Sequence, residues 1–280
     1  MRTVRQPGNR GGKAIEGRGP MADSREHMPI EYGVYVASDA EAMARLLGEV
    51  FSRHDPPAVA VGLTPSEFEA FVRLLCPKAA AEGLTIVARL VGTGELVGAL
   101  LTEDCALALP DGMDRLSAKF DPIFDILGQL GTEYRGGQAV RPGESLHLFL
   151  LGVSERVAGQ GVAQQLVAAC LEHGARRGYR VAVTEATNKV SQHIFRKQGF
   201  VARVWRSYQT HRFDGREVLG RSLSTGVRCS WRNRWRCNVP DYTTCTPNQR
   251  LQMRTGNQLV SLRTTCRANN KRTVVARPLK

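Results

Sequence analysis

SLHLFLLGVSERVAGQGVAQQLVAACLEHGARRGYR, Ser145 to Arg180, decides how the rest of this chain is read. Leu146, Leu148 and Leu150 alternate with His147, Phe149 and Leu151, the period of two of a half-buried strand. The run Ala158-Gly159-Gln160-Gly161-Val162-Ala163 follows. Beyond it Val162, Leu166, Ala169, Cys170 and His173 recur at helical spacing, and Gly178 supplies a stop. The stretch predicts strand, tight glycine loop and helix. A helix that starts on glycines leaves backbone N–H groups unpaired. Those donors and the helix dipole make an anion site suited to phosphate.

Three phosphate-loop patterns can be laid on this stretch. A dinucleotide fingerprint needs a third glycine at position 164, where Gln164 stands. A P-loop needs Gly-Lys-Ser/Thr, which is absent. The third pattern, Arg/Gln-x-x-Gly-x-Gly/Ala, finds Gly161 and Ala163 in place, with Gly159 as an extra glycine. Ala158 departs from its opening position; Arg156 would fill it if the frame slid by two residues, but the first frame keeps Val162-Ala163 at the helix start. A second pattern, Asn-x-x-Ala/Ser-x-x-x-Tyr-x-x-x-Gly-Phe, finds Asn188, Ser191, Gly199 and Phe200, with Phe195 in place of the tyrosine. On these residues the chain resembles the GNAT N-acetyltransferases over roughly 30–218.

The resemblance implies an α/β GNAT (acyl-CoA N-acyltransferase) fold, a mixed, mostly antiparallel central sheet flanked by helices. It implies acetyl-CoA as co-substrate and no metal. Ala158, Gly159, Gln160, Gly161, Val162 and Ala163 would hold the pyrophosphate. Backbone groups near Leu151 and Val153 would meet the pantetheine arm and the thioester carbonyl, and Asn188 and Ser191 would contact the cofactor. The family's tyrosine protonates the departing thiolate. Phe195 cannot, so Ser191, one turn earlier on the same helix face, or a water would take that role.

Two further features resemble the arylalkylamine N-acetyltransferase branch. His54-Asp55-Pro56-Pro57 sits where insect-type members carry a Glu-Pro pair whose carboxylate is the general base, which makes Asp55, one methylene shorter, the candidate base, acting directly or through a water. Vertebrate-type members carry His-x-His on the cofactor strand as a proton path. His147 matches the first position, and Phe149 stands at the second.

Charge divides the 280 residues into three. Residues 221–280 hold 13 Lys/Arg against one acid, Asp241, whereas 29–220 hold 20 basic and 22 acidic residues. The net charge of +13 therefore belongs to the ends, and the central region gives no reason to expect nucleic-acid binding. Residues 1–28, rich in Gly, Arg and Pro, are expected to be a disordered extension. Residues 29–220 form the expected acetyltransferase domain. Residues 221–280 read as a basic tail without clear helical or strand period, better explained by a frameshifted or mis-called end than by a nucleic-acid-binding segment. Cys76, Cys105 and Cys170 read as free thiols in apolar or helical settings, and the tail's four cysteines lack metal spacing. No signal peptide or membrane-length run is visible, so a cytoplasmic protein with no membrane partner is expected.

Along the central region, Glu31–Ala37 predicts a strand, and Ser38 the cap of a helix running to His54. Thr64-Pro65-Ser66-Glu67 is a capping box opening a second helix. Leu84–Val91 and Leu96–Leu101 predict a hairpin, and Asp121–Leu127 a helix within an irregular insertion. Val181–Ala186 predicts a strand and Lys189–Lys197 a helix. Val201–His211, a turn at Asp214-Gly215 and Arg216 onward predict a closing strand pair. The expected activity is transfer of acetyl from acetyl-CoA to a primary amine by direct attack, with a small-molecule, arylalkyl-type amine as acceptor. A protein N-terminus or lysine as acceptor, and a non-catalytic CoA-binding protein with a nucleic-acid-binding tail, stand as alternatives.

Overall fold

The computed structural model of the protein describes residues 29–220, 226–233, 250–255, 258–265 and 273–278. The expectations for 1–28 and for the stretches between these segments lie outside the described residues. In chain order come β1 (Ile30–Val34), α1 (Ala40–His54), α2 (Pro56–Ala60), α3 (Pro65–Glu82), β2 (Ile86–Leu90) and β3 (Leu96–Asp104). Then follow α4 (Asp121–Arg135), β4 (Ser145–Val153), α5 (Val162–Arg176), β5 (Val181–Ala186), α6 (Lys189–Lys197), β6 (Val201–Ser207) and β7 (Gly226–Asn233). The seven strands form one sheet in the order β1-β2-β3-β4-β5-β7-β6. Only β4 and β5 run parallel.

Local chemistry accounts for the helix ends. Thr64 and Glu67 make the reciprocal box expected of them: Thr64 N donates to Glu67 Oε2 at 2.9 Å, and Glu67 N to Thr64 Oγ1 at 3.3 Å. Gly83 ends α3 in the left-handed region, at φ +61°. Ser38 does not cap α1. Asp39 stands at that position, and its carboxylate accepts the Val36 N–H and pairs with Arg89 of β2. The insertion helix runs eight residues beyond Leu127, to Arg135.

The sheet carries a core on each face. Leu146, Leu148, Leu166, Cys170 and Phe195 pack on the α5–α6 side, and Met43, Leu47, Phe71, Leu75, Phe120 and Leu150 on the α1–α3–α4 side. α1 and α3 meet at Gly48. A Cβ there would lie 2.5 Å from Glu69 Cγ and 2.9 Å from the Pro65 carbonyl oxygen. A backbone oxygen cannot swing aside, so overpacking of about 1–3 kcal/mol exceeds the roughly 1 kcal/mol that alanine gains over glycine in a helix. Gly48→Ala is expected to lower the denaturation midpoint; a raised midpoint would mean that α3 yields at no cost.

The closing strands depart from expectation. Asp214 and Gly215 do turn the chain, at φ +49° and +77°, but only Phe213 and Arg216 pair across them. The strand expected from Arg216 begins at Gly226 instead, and it inserts between β5 and β6. The intervening Leu219 is fully buried beside Tyr208, Ile126 and Val227, so apolar residues read as strand serve as packing between strands. The seventh strand thus comes from residues assigned to the tail. Further on, Arg250–Thr255, Gln258–Thr265 and Thr273–Pro278 form a separate antiparallel three-stranded sheet where no strand period had been legible.

Candidate active site

The site begins where the sheet opens. β4 pairs with β5 only at Ser145–Val181, Leu146–Ala182 and His147–Val183, then the two strands part. Thr184 Oγ1 donates to the Leu148 carbonyl at 2.9 Å at the fork. Beyond it the β5-facing backbone edge of β4 has no strand partner among the described residues, and its polar groups are left for a ligand. On the other edge, β3 pairs Leu101 with Leu150 but Thr102 with Leu148, so Phe149 is an extra, bulged residue. The bulge turns the strand over: Leu148 packs on the α5 side, Leu150 on the α1–α3 side.

The glycine loop follows a 3-10 turn at Glu155–Val157. Ala158 is extended, and Gly159 and Gly161 sit at φ +80° and +78°. Gly161 is the N-cap of α5 and carries no side chain that could occupy the helix mouth. The first bond closing the helix runs from Gln165 N to Gly161 O at 3.1 Å. The N–H groups of Val162, Ala163 and Gln164 precede it and have no intrahelical acceptor. Val162 is buried in the core, so the loop is anchored while its donors face outward. This donor set fits a pyrophosphate.

Asp55 lies across the fork, on the corner between α1 and α2. It caps α2, accepting the Ala58 N–H at 3.3 Å on Oδ2, while Thr187 Oγ1 donates to Oδ1 at 2.6 Å. Burial pushes this carboxyl up to about 6, against the two hydrogen bonds that favour its charged form. Asp55 therefore changes charge just below neutrality, and it is ionised above that point.

Asp55, Leu148–Leu151, Thr184, Glu185, Thr187, Asn188 and Ser191 line one cavity. Seven of the chain's nine phenylalanines also line it: Phe51, Phe68, Phe71, Phe120, Phe124, Phe149 and Phe195. Phe71 holds Phe124 and Phe149 edge-on at 5.6 and 5.9 Å between centroids, and Phe51 stacks on Phe68 at 4.8 Å. The wall is an aromatic cluster drawn from α1, α3, the turn into α4, α4 itself, β4 and α6. Asn188 and Ser191 cap α6 reciprocally. The Ser191 hydroxyl donates to the Asn188 carbonyl at 3.0 Å and accepts the Asn188 N–H at 3.3 Å, so its one proton is engaged locally.

His147 does not line this cavity. It lies in a neighbouring one beneath α4, and Phe124, Leu127, Phe149 and Glu185 border both. Its Nδ1 meets Glu103 at 3.0 Å and its Nε2 meets Glu185 at 2.6 Å. Lys78 pairs with Glu103 and Glu82 behind it. Burial alone would lower its pKa, but the charge of Glu185 and the bonds to both carboxylates outweigh that and raise it to about 10. His147, expected on a proton path, is thus held as an imidazolium through neutral pH. The stability it contributes is fully present below its ordinary pKa and is lost as pH rises through about 10. His147→Phe leaves two buried carboxylates facing each other and is expected to cost about 3–5 kcal/mol. Denaturation at neutral and alkaline pH checks this; the gap from the parent protein should narrow on the alkaline side, and a constant gap would contradict it.

Thr184, Glu185, Thr187 and the phenylalanines are site residues that the sequence analysis did not identify. Position at the end of β5 beside the fork was the only signal for Thr184, Glu185 and Thr187, whereas most of the phenylalanines lie on helices. Among the described residues no group of three or more His, Cys, Asp and Glu side chains could hold a metal, and no helix is long and apolar enough to cross a membrane.

Residues 74–200 match the acetyltransferase (GNAT) family. The match spans the glycine loop and the Asn188–Phe200 signature but not Asp55. The same fold is seen in the C-terminal condensation domain of Ebony in complex with beta-alanyl-dopamine, at TM-score 0.68 and 13% identity over 74% of this chain and 99% of that one. It is seen in arylalkylamine N-acetyltransferase 2 from Aedes aegypti, at TM-score 0.61 and 18% identity over 73% and 98% of the two chains. Polyamine N-acetyltransferase from Drosophila melanogaster aligns at TM-score 0.60 and 17% identity over 73% and 100%.

Proposed function

We propose that this protein is an acetyl-CoA-dependent N-acetyltransferase whose acceptor is a small arylalkylamine, acetylated by direct attack. One observation carries the reading: a buried carboxyl held near neutrality, Asp55, stands in an aromatic cavity that opens onto the fork between β4 and β5. Acetyl-CoA supplies an activated acetyl thioester. The outward N–H groups at the start of α5 hold its pyrophosphate, and the bare edge of β4 beyond Leu148 aligns its arm. Phe51, Phe68, Phe71, Phe120 and Phe124 enclose an aryl group and exclude water. An amine reaches neutral solution mainly as ammonium. Ionised Asp55 attracts it and accepts its proton, which frees the lone pair for attack.

The similarity in fold to arylalkylamine and polyamine N-acetyltransferases supports an amine acceptor, and the phenylalanine wall favours the aryl class within it. A panel of phenylalkylamines, indolylalkylamines, aliphatic diamines and peptide N-termini, assayed by CoA release, tests the reading. The aryl amines should have the highest kcat/KM. Preference for diamines or peptides would overturn the acceptor class, and CoA release with none would overturn the activity.

A further inference from the structure

The cavity at Asp55 is small, with free space of about 110 Å³. A cavity of about 150 Å³ takes up one benzene, so this space holds one aryl ring and little else. The neighbouring cavity beneath α4 is larger, about 430 Å³, and falls within the roughly 300–1,000 Å³ of ligand pockets. Leu107, Leu109, Met113, Val140 and Val183 give it apolar walls. Leu107 and Leu109 are 45% and 52% exposed, so the cavity reaches the surface beside them. Gly131 makes much of its room. It is buried in α4 and shares the helix face of Phe124, Leu127 and Tyr134, all of which line the cavity. The three atoms nearest a Cβ at Gly131 would all belong to the Arg135 guanidinium, the closest at 3.1 Å. A side chain there would fill the cavity and push aside only the end of a flexible neighbour.

Phe124, Leu127, Phe149 and Glu185 border both cavities. Phe124 and Leu127 are half-buried, which gives their side chains room to turn. Glu185 is the polar member of this partition. Burial alone would raise its carboxyl, but the charge and hydrogen bond of His147 hold it below its ordinary value, so it is ionised at neutral pH. A carboxylate has about four acceptor positions, and His147 takes one of them, on Oε2. A hydrocarbon passing from one cavity to the other would cover this charge and strip its water. A group carrying a donor would replace that water.

Building on the proposed function, we infer that the α4 cavity is the distal half of the acceptor site and that the acceptor is an elongated arylalkylamine. Its amine lies at Asp55 and its first ring among the phenylalanines. A second ring or chain lies beneath α4, joined to the first through a group whose N–H or O–H donates to Glu185.

Three amines test this on the full chain by CoA release: phenethylamine, para-styrylphenethylamine and para-benzamidophenethylamine. The last two match in length and shape, and only the benzamide carries the N–H. It should be the best of the three, with kcat/KM about 10- to 100-fold above the styryl amine, the worth of one hydrogen bond to a charged group. Glu185→Gln should shrink that preference about three- to tenfold, because a neutral oxygen accepts less strongly. Gly131→Leu should lower the benzamide-to-phenethylamine ratio of kcat/KM at least about tenfold, the worth of burying the second ring. Leu127→Ala, which widens the partition, should raise that ratio. Calorimetry with the benzamide in the presence of CoA should show the Gly131→Leu loss as a raised Kd. Equal kcat/KM for the three amines, or equal Gly131→Leu losses for short and long ones, would overturn the inference. If the parent acetylates phenethylamine but not the benzamide, only the inference fails. If it acetylates no amine, the proposed function fails, and calorimetry still decides the cavity: an unchanged Kd in Gly131→Leu removes it as a binding site.

Discussion

Asp55→Asn is expected to lower turnover by about 10²- to 10⁴-fold, the range of a lost general base, while acetyl-CoA binds as before. The amide keeps the size of the side chain and one carbonyl oxygen but cannot accept the ammonium proton. The pH profile should report the same group. Asp55 must be ionised to act, and burial places its midpoint at about 6. The parent activity should therefore fall as pH drops through about 6, and the variant's residual activity should lack that limb. The stability effect has the opposite sign. The folded value lies above the ordinary 3.8, so the native state binds this proton more tightly than the unfolded chain. The fold gains from Asp55 as pH falls through about 6, and the contribution is complete below 3.8. Two pKa units at 1.36 kcal/mol each make that difference about 3 kcal/mol. Its measure is the parent-minus-variant difference in denaturant unfolding between pH 7 and pH 4. An Asp55→Asn protein with parent turnover and an unchanged acidic limb would remove Asp55 from the mechanism.

Gly161→Asp is expected to abolish acetyl-CoA binding, with Kd raised at least about 100-fold if two charge-assisted hydrogen bonds of roughly 1.5–3 kcal/mol each are lost. Two causes act together. The backbone stands at φ +78° and ψ 8°, a conformation that costs a residue with a Cβ about 1–2 kcal/mol. The carboxylate would also sit at the helix mouth, where it would pair with the N–H groups of Val162 and Ala163 and repel the pyrophosphate. Space is not the obstacle, since a Cβ at Gly161 would meet only Gln164 Oε1, at 3.7 Å. Gly161→Ala should accordingly weaken binding far less than Gly161→Asp. Calorimetric titration with acetyl-CoA reads both, and unchanged affinity in a folded Gly161→Asp would remove the cofactor assignment of this loop.

Many local elements were legible where local chemistry sets them, although Asp39 and not Ser38 caps α1 and the short α2 was not expected. Strand β4, the glycine loop and α5 follow from alternation, two glycines at positive φ and helical spacing, all within Ser145–Arg180. The Thr64 capping box is likewise a bond between residues three apart. What these segments could not disclose is everything that depends on a distant neighbour. The sequence of β4 alternates evenly, but pairing with β3 forces the bulge at Phe149, and separation from β5 exposes the strand's edge. His147 resembles a relay in sequence; Glu103 and Glu185, 44 and 38 residues away, make it a fixed cation. Asp55 read as a base only by resemblance. Its raised pKa comes from burial under chain that folds back over it, and its partner Thr187 lies 132 residues on. β7 was missed because its place between β5 and β6 is set by ladder bonds to both rather than by any period of its own. Short-range bonds and backbone conformation are encoded within a few residues, so this sequence by itself determined its glycine loop, the Thr64 cap and the longer helices. Dielectric surroundings, ladder register and the convergence of phenylalanines from several distant elements are properties of packed neighbours, and only the tertiary structure decided them.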